Sequence, residues 1–403
     1  MHTPRQLFNQ IMNYERPERV FNWNWTFGLY GGNDDRGTQF WQQTIDRWHA
    51  EGLPREMDTQ KQINDFFAVD RRLGLELRTG IWPAFKKEIL EETDKFVVSI
   101  NEDGDVIRQF KGAALEGSMP EYLRRLITSR ADWDQVKRER LNPDSAGRDS
   151  FVIKLDGKVL IECAPGAGNF QEARKLLLES DLPVELFVGS EFGWPRNWMD
   201  VTGISYALYD DPDLIAEMMS HIATLILTVF KKVLDPLSVP IDIASWWEDM
   251  AYNHGPLISP VWVRRLMVPN YLRVNEDLHR RGTRLIGVDS DGNCEKLIAP
   301  WLEVGINCIF PNEVAAGSDV VDLRRKFGRD LHLIGGIDKR ALARGPEAIQ
   351  EELERRLPLV SQGGYLPAVD HSVPPDISFD NYLFYQDYLG QRCQHYMDHW
   401  LPI

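Results

Sequence analysis

The chain has 403 residues, more than one average domain of about 150 residues but within the span of about 200 to over 400 residues that one decorated (β/α)8 barrel takes. With 43% apolar, 27% charged and 11% aromatic residues, including 13 Trp, it has the material for a large core, which excludes a wholly disordered chain. Acidic residues outnumber basic ones 61 to 46, a net charge of −15, which is the wrong sign for a nucleic-acid binder. The longest unbroken apolar runs, such as Leu225-Ile226-Leu227 and Val229-Phe230, are too short to predict a membrane span. The opening MHTPRQLFNQ lacks the apolar centre of a secretory signal, so a cytoplasmic protein is expected. Cys163, Cys294, Cys308 and Cys393 form no C-x-x-C pair, which fits a reducing compartment and argues against a thiolate metal site.

In chain order, the first 20 residues predict a helix with Leu7, Phe8, Ile11 and Met12 on one face. A strand-like run, Val20 to Trp25, follows, and residues 37–72 read as helical. The segment 95–111 is the clearest hairpin, two alternating runs joined by Asp103-Gly104. Residues 118–140 read as helical, and Lys154 to Val159 as another small turn. Beyond residue 180 the rhythm becomes regular. Strands are expected at Pro183–Ser190, Pro240–Ser245, Arg284–Val288, Ile306–Phe310, Leu331–Ile334 and Gly364–Ala368, with amphipathic helices at 211–234, 259–281, 293–304, 318–328 and 345–361. Short apolar strands alternating with such helices predict parallel βαβ units. Counting the N-terminal run gives seven strands, close to the eight of a TIM barrel. One α/β barrel domain over 1–403 is therefore expected, with the 95–111 hairpin as an insertion. The aromatic stretch from Phe379 to Trp400 reads as an ordinary packing helix, as a cover for the barrel or as a homodimer interface.

In a parallel barrel the chemistry gathers at the C-terminal strand ends. Five expected strands run into carboxylates there: Glu248-Asp249, Asp289 with Asp291, Asn312-Glu313, Asp338, and Asp370 beside His371. Structural duties compete for them. Asp291-Gly292-Asn293 also suits a turn that caps the next helix, and Asn312 and Asp338 suit caps as well. Glu248 follows Trp246-Trp247, and an unpaired carboxylate in such apolar surroundings would be costly. Asp289, Asp291, Glu248 and His371 together make a mixed oxygen–nitrogen ligand set suited to Zn, Mn or Fe. Trp23 and Trp25 from the first strand, with Trp194 and Arg196 from the 189–198 loop, describe an aromatic small-molecule pocket. Trp23 and Trp25 equally suit barrel filling, and Arg196 suits either an anionic substrate group or a surface acid.

The order of these blocks resembles the uroporphyrinogen decarboxylase superfamily. The resemblance is carried by Glu15-Arg16-Pro17-Glu18-Arg19-Val20, Ser259-Pro260, Gly335-Gly336-Ile337-Asp338-Lys339 and Asp370-His371-Ser372-Val373-Pro374. It covers most of the chain, is strongest from about 180 to 390, and implies a TIM barrel. True uroporphyrinogen decarboxylases carry an arginine-rich loop after the first strand, ending in Gly-Arg-Tyr. Here that region is Trp25 to Gly32 and contains no arginine, so decarboxylation of a polyanionic tetrapyrrole is not expected. The superfamily's other branch, the cobalamin-dependent methyltransferases, includes members that hold zinc with His-x-Cys and a distant Cys. By order along the chain, Asp289 and Asp291 stand where the first pair falls and His371 near the last. Every ligand has thus changed type, which puts thiol activation in doubt and leaves zinc as a Lewis acid.

The resemblance therefore implies a methyltransferase-like enzyme. A divalent metal, zinc foremost, would sit on Asp289, Asp291, His371 and Glu248, and the methyl group would pass between a small molecule, such as an aromatic ether, and a corrinoid on a partner protein. Catalytic roles are expected for Glu248, Asp289 and Glu313. Two alternatives stand beside it. One is a lyase or hydrolase using the strand-end carboxylates as acid and base, and the other is a non-catalytic subunit that docks on a corrinoid protein.

Overall fold

The computed structural model describes residues 2–23, 42–111 and 120–400. Seven strands form a parallel sheet: β1 (Leu73–Leu77), β2 (Val184–Gly189), β3 (Ile243–Trp247), β4 (Ile286–Asp289), β5 (Cys308–Phe310), β6 (His332–Ile337) and β7 (Tyr365–Val369). They lie side by side in sequence order, and helices between successive strands cover the outside. This is an α/β TIM barrel, and six of the seven strands fall where the sequence places them.

The seventh does not. β1 lies just past a stretch that reads as continuous helix, where the chain forms helices Gln42–Glu51 and Gln60–Phe66. Residues 20–23 of the expected first strand make no ladder and run beside Asp70. The Asp70 N–H donates to the Asn22 carbonyl at 3.1 Å, and the Asn22 N–H donates to the Asp70 carboxylate at 2.7 Å. Asn24 and Trp25 lie outside the described residues.

Alternation along the strands decides what each side chain meets. On β3, Ala244 and Trp246 point outward into the helical core, while Ile243 points into the lumen. There it meets Leu285, Cys308, Phe310, Ile334, Leu366 and Ala368 from the other strands. Helix Pro4–Met12, capped by Thr3, closes the bottom by inserting Leu7, Phe8, Ile11 and Met12 into this cluster. A side chain of this size contributes about 1.5–3 kcal/mol when fully buried, so the floor is a packed core. The opposite end, where β1–β7 finish, is where polar groups collect.

On β1's other edge a hairpin, Phe151–Leu155 with Lys158–Cys163, extends the sheet antiparallel. A separate four-stranded antiparallel sheet holds the expected 95–111 hairpin as its two middle strands, Phe96–Ile100 and Val106–Phe110. Its turn closes on Asn101, whose side chain accepts from the N–H groups of Asp103 and Asp105. The 118–140 region contains a strand, Glu121–Arg124, before helix Arg130–Glu139. Helix Pro212–Leu237 is long and apolar enough to cross a membrane by length and composition, although no unbroken apolar run announces it. Here Ile215, Ile222, Val229 and Phe230 are buried in the core. The four cysteines are buried and unpaired.

Candidate active site at the barrel mouth

At the end of β3 the alternation separates two neighbouring acids. Trp247 shares the inward phase of Ile243 and is half-buried, whereas Glu248 follows the outward phase of Trp246 and is fully buried. The Glu248 carboxylate accepts from the N–H groups of Glu191 (2.8 Å), Phe192 (2.7 Å) and Gly193 (3.2 Å), and from the Ser190 hydroxyl (3.1 Å). It thus holds the first turn of helix Gly193–Asp210, where unpaired N–H groups favour a negative charge. Burial raises its pKa, and these N–H donors oppose the rise. Glu248 faces the helical layer and does not join the other expected ligands. Beside it, burial and the Glu248 charge raise the pKa of Glu191 well above normal.

Asp249 turns back toward the mouth, in the left-handed region at φ 43°, a costly conformation for a non-glycine residue. Its carboxylate pairs with Arg196 at 2.6 Å, and the Arg196 guanidinium lies 5.6 Å from the centroid of the Trp247 ring. Burial raises the Asp249 pKa, Arg196 opposes the rise, and Asp291 adds to it.

β4 contributes the next pair. Asp289 is half-buried, and burial, then the charges of Asp291 and Asp249, push its pKa well above the usual range. Asp291 is not a helix cap. Its carboxylate lies 3.4 Å from Nε2 of His371, and that hydrogen bond is the largest cause of a raised His371 pKa, against desolvation. The bend between them depends on Gly292 at φ 80°, where a Cβ would meet the Tyr252 backbone N at 2.6 Å. The Gly292 N–H donates to Glu313 at 3.0 Å, and Lys339 reaches Glu313 at 3.3 Å and Asp370 at 3.9 Å. Asp370 is fully buried and accepts from the N–H groups of Val314 and Lys339. Burial pushes its pKa up to about 6, with Lys339 opposing. One continuous polar group therefore runs from Arg196 through Asp249, Asp289 and Asp291 to His371, Glu313, Lys339 and Asp370.

An aromatic wall flanks it. Phe187 and Trp194 meet edge to face at 6.3 Å, and Trp194 stacks on Trp198 at 6.2 Å. Trp194 fits because Gly189 and Gly80 leave room, since a Cβ on either would meet its ring at 2.8 or 3.2 Å. The 189–198 segment, expected as a loop, is largely the first turns of helix Gly193–Asp210. Gly193 and Pro195 disguise this helix start in the sequence.

The structure thus brings Asp289, Asp291, His371, Glu313, Trp194 and Arg196 to the mouth and leaves others out. Trp23 is 1% exposed, with the Arg72 guanidinium 3.8 Å above its ring and Phe8 stacked on it at 6.1 Å. It fills the barrel floor instead of lining a pocket. Trp25 lies outside the described residues. Asp338 caps helix Lys339–Arg344. Asp249 was expected only as a strand-end carboxylate beside Glu248 and Lys339 only as part of a family block, while Phe187 and Trp247 were given no site role; the phase of β2 and β3 is what turns Phe187 and Trp247 inward.

A tetrahedral zinc site needs three or four protein donors within about 2.0–2.3 Å of the metal. Among the described residues no group of three or more His, Cys, Asp or Glu is gathered to hold a metal ion. The expected set is divided, because Glu248 is committed to helix Gly193–Asp210, and of the expected ligands Asp291 and His371 are in contact. This arrangement does not fit a zinc ion on the four expected residues. Asp291 and His371 keep 39% and 41% of their side-chain surface exposed.

A parallel α/β barrel architecture with its titratable groups collected at one end of the strands is the layout of a barrel enzyme. A model of the uroporphyrinogen decarboxylase (URO-D) family matches residues 170–389, more than half of the chain, which therefore belongs to that family. Among solved structures, a methyltransferase from Methanosarcina mazei is similar in fold, with a TM-score of 0.55 and 11% identity over 98% of this chain and 99% of that one. A B12-independent methionine synthase from Shewanella sp. W3-18-1 matches at a TM-score of 0.37 and 12% identity, over 62% of this chain and 71% of its own. No curated protein matches the chain.

Proposed function

We propose that this chain is an enzyme that transfers a methyl group out of a small aromatic ether, with the Asp291–His371 pair as the proton donor. The observation that carries the reading is the 3.4 Å contact between Asp291 and His371, at the same mouth as the aromatic wall of Phe187, Trp194 and Trp198. The methyltransferase fold of the Methanosarcina protein supports it. An ether methyl leaves only if the oxygen it leaves behind is stabilised, because a free alkoxide or phenoxide is a poor leaving group. As the C–O bond breaks, its electron pair stays on oxygen, and the His371 imidazolium delivers the proton that makes the neutral hydroxyl product. Asp291 favours the charged imidazole before the step. A corrinoid on a partner protein would supply the electron pair that takes up the methyl group. Because the expected metal ligands are divided, no step passes through a metal.

The test is turnover of methoxybenzenes and methylamines with free cob(I)alamin as acceptor. Methylcobalamin formed from a methoxybenzene, and formed more slowly near neutral pH in Asp291→Asn, is the expected result. No methylcobalamin from any donor would sink the reading. A second reading, an acid–base lyase on the same residues, is favoured by the raised pKa of Asp289, caused by burial and by the neighbouring Asp291 and Asp249 charges. It would form product from the same compounds with no acceptor present.

A further inference from the structure

Away from the barrel mouth, a cleft of about 220 Å³ lies between the small antiparallel sheet and helix Arg130–Glu139. Phe85, Leu126 and Val136 give it an apolar side, and Arg124, Arg125 and Arg140 also line it, the Arg125 guanidinium lying over the Tyr122 ring at 3.3 Å. We propose that this cleft binds a small organic anion, a carboxylate or phosphate ester on a compact apolar body.

Arg124 and Arg140 carry the proposal, since neither has an ion-pair partner among the described residues. Arg124 is exposed. Arg140 donates to the neutral carbonyl of Pro83 at 3.2 Å and lies over the Phe85 ring at 4.5 Å. Arg125 meets one acid, Asp105, at 3.3 Å. The Nε–H groups of Arg125 and Arg140 are buried without a partner, a state that costs free energy until an acceptor arrives. The two acids that line the cleft are already engaged. Asp132 accepts from the hydroxyls of Thr128 and Ser129 at the start of its helix, and Glu139 accepts from Gln135 and Arg138.

Guanidinium forks match carboxylate and phosphate oxygens two at a time, and the apolar side favours an anion with a hydrocarbon part over a bare inorganic ion. The cleft also lies one contact from the mouth. Arg125 donates to the Asn197 carbonyl at 3.1 Å, and the Ile127 N–H donates to the Trp198 carbonyl at 2.9 Å. Both carbonyls belong to the helix that carries Trp194 and Arg196, so occupancy should be visible in tryptophan emission.

Titration calorimetry and tryptophan fluorescence with benzoate and phenyl phosphate, and benzyl alcohol as the neutral control, test the proposal. Saturable binding of at least one anion is expected, at least tenfold weaker in Arg124→Glu and in Arg140→Gln. Arg124 is on the surface, so its variant stays folded and decides the matter if Arg140→Gln does not. Binding of benzyl alcohol as tight as that of the anions would overturn it. So would unchanged affinity in Arg124→Glu, or no saturation of either anion up to about 10 mM.

Discussion

Replacing Glu248 with Ala separates two accounts of the most enclosed acid at the end of β3. If Glu248 holds the start of helix Gly193–Asp210, its loss strands three backbone N–H groups and the Ser190 hydroxyl. Each unsatisfied buried donor costs about 1–3 kcal/mol. Water entering the vacated space and relief from burying a carboxylate offset part of that, leaving a net loss of about 3–5 kcal/mol, the usual range for removing one partner of a buried charged contact. At about 1.2 °C per kcal/mol for a chain of this size, the melting temperature should fall by roughly 4–6 °C. Glu248→Gln keeps the shape and one acceptor oxygen, so a smaller loss of about 1–3 kcal/mol is expected. Thermal melts followed by circular dichroism, run beside turnover of a methoxybenzene, read both quantities. An Ala variant that melts within about 1 °C of the wild type yet loses turnover would refute the structural role and make Glu248 a catalytic residue.

Asp370 predicts a pH dependence of stability. With its pKa pushed up from 3.8 to about 6, the folded state holds the proton more tightly than the unfolded chain. Its contribution is complete below pH about 4 and is lost as pH rises to about 6, a change of about 3 kcal/mol. Urea titrations of Asp370→Asn should therefore be flatter over this window than those of the wild type, and parallel curves would contradict the assignment. Gly335 sits at φ 94°, and a Cβ there would collide with the Pro311 carbonyl oxygen. Gly335→Ala should cost more than about 3 kcal/mol, because strain and a backbone clash add. An unchanged urea midpoint would show that β5 and β6 can separate at this point.

The repeating second half was legible because its strands are short, apolar and spaced by amphipathic helices. β1 was hidden because Leu73-Gly74-Leu75-Glu76-Leu77 follows directly on a polar helical stretch and carries a glycine and a glutamate. The Glu is not a strand breaker here, since it points inward, where Lys154 pairs with it at 2.9 Å. Helix Gly193–Asp210 was hidden for the opposite reason. A Gly and a Pro in its first turn read as loop, while the residue that completes its cap, Glu248, comes from 55 residues away. The site was legible as a set of strand ends but not as a set of directions. Asp289, Asp291 and His371 were found by address alone. Choosing Asp249 over Glu248, or Trp247 over Trp23, needs the phase of β3 and the depth of the floor. Both are set by packing between distant segments, because a one-residue change of phase exchanges every inward side chain for an outward one.

The central claim, that Asp291 and His371 deliver the proton, is tested most directly by the pH dependence of kcat for methyl transfer in the wild type, Asp291→Asn and His371→Gln. His371 must be protonated to act, and Asp291 raises its pKa above 6.5. The wild-type rate should therefore fall as pH rises through a value above 6.5. Asp291→Asn should move that fall to lower pH, and His371→Gln should abolish it while lowering kcat by about 10²–10⁴-fold, the usual worth of a positioned general acid. A falling limb that stays at the same pH in both variants, with kcat unchanged, would contradict the account.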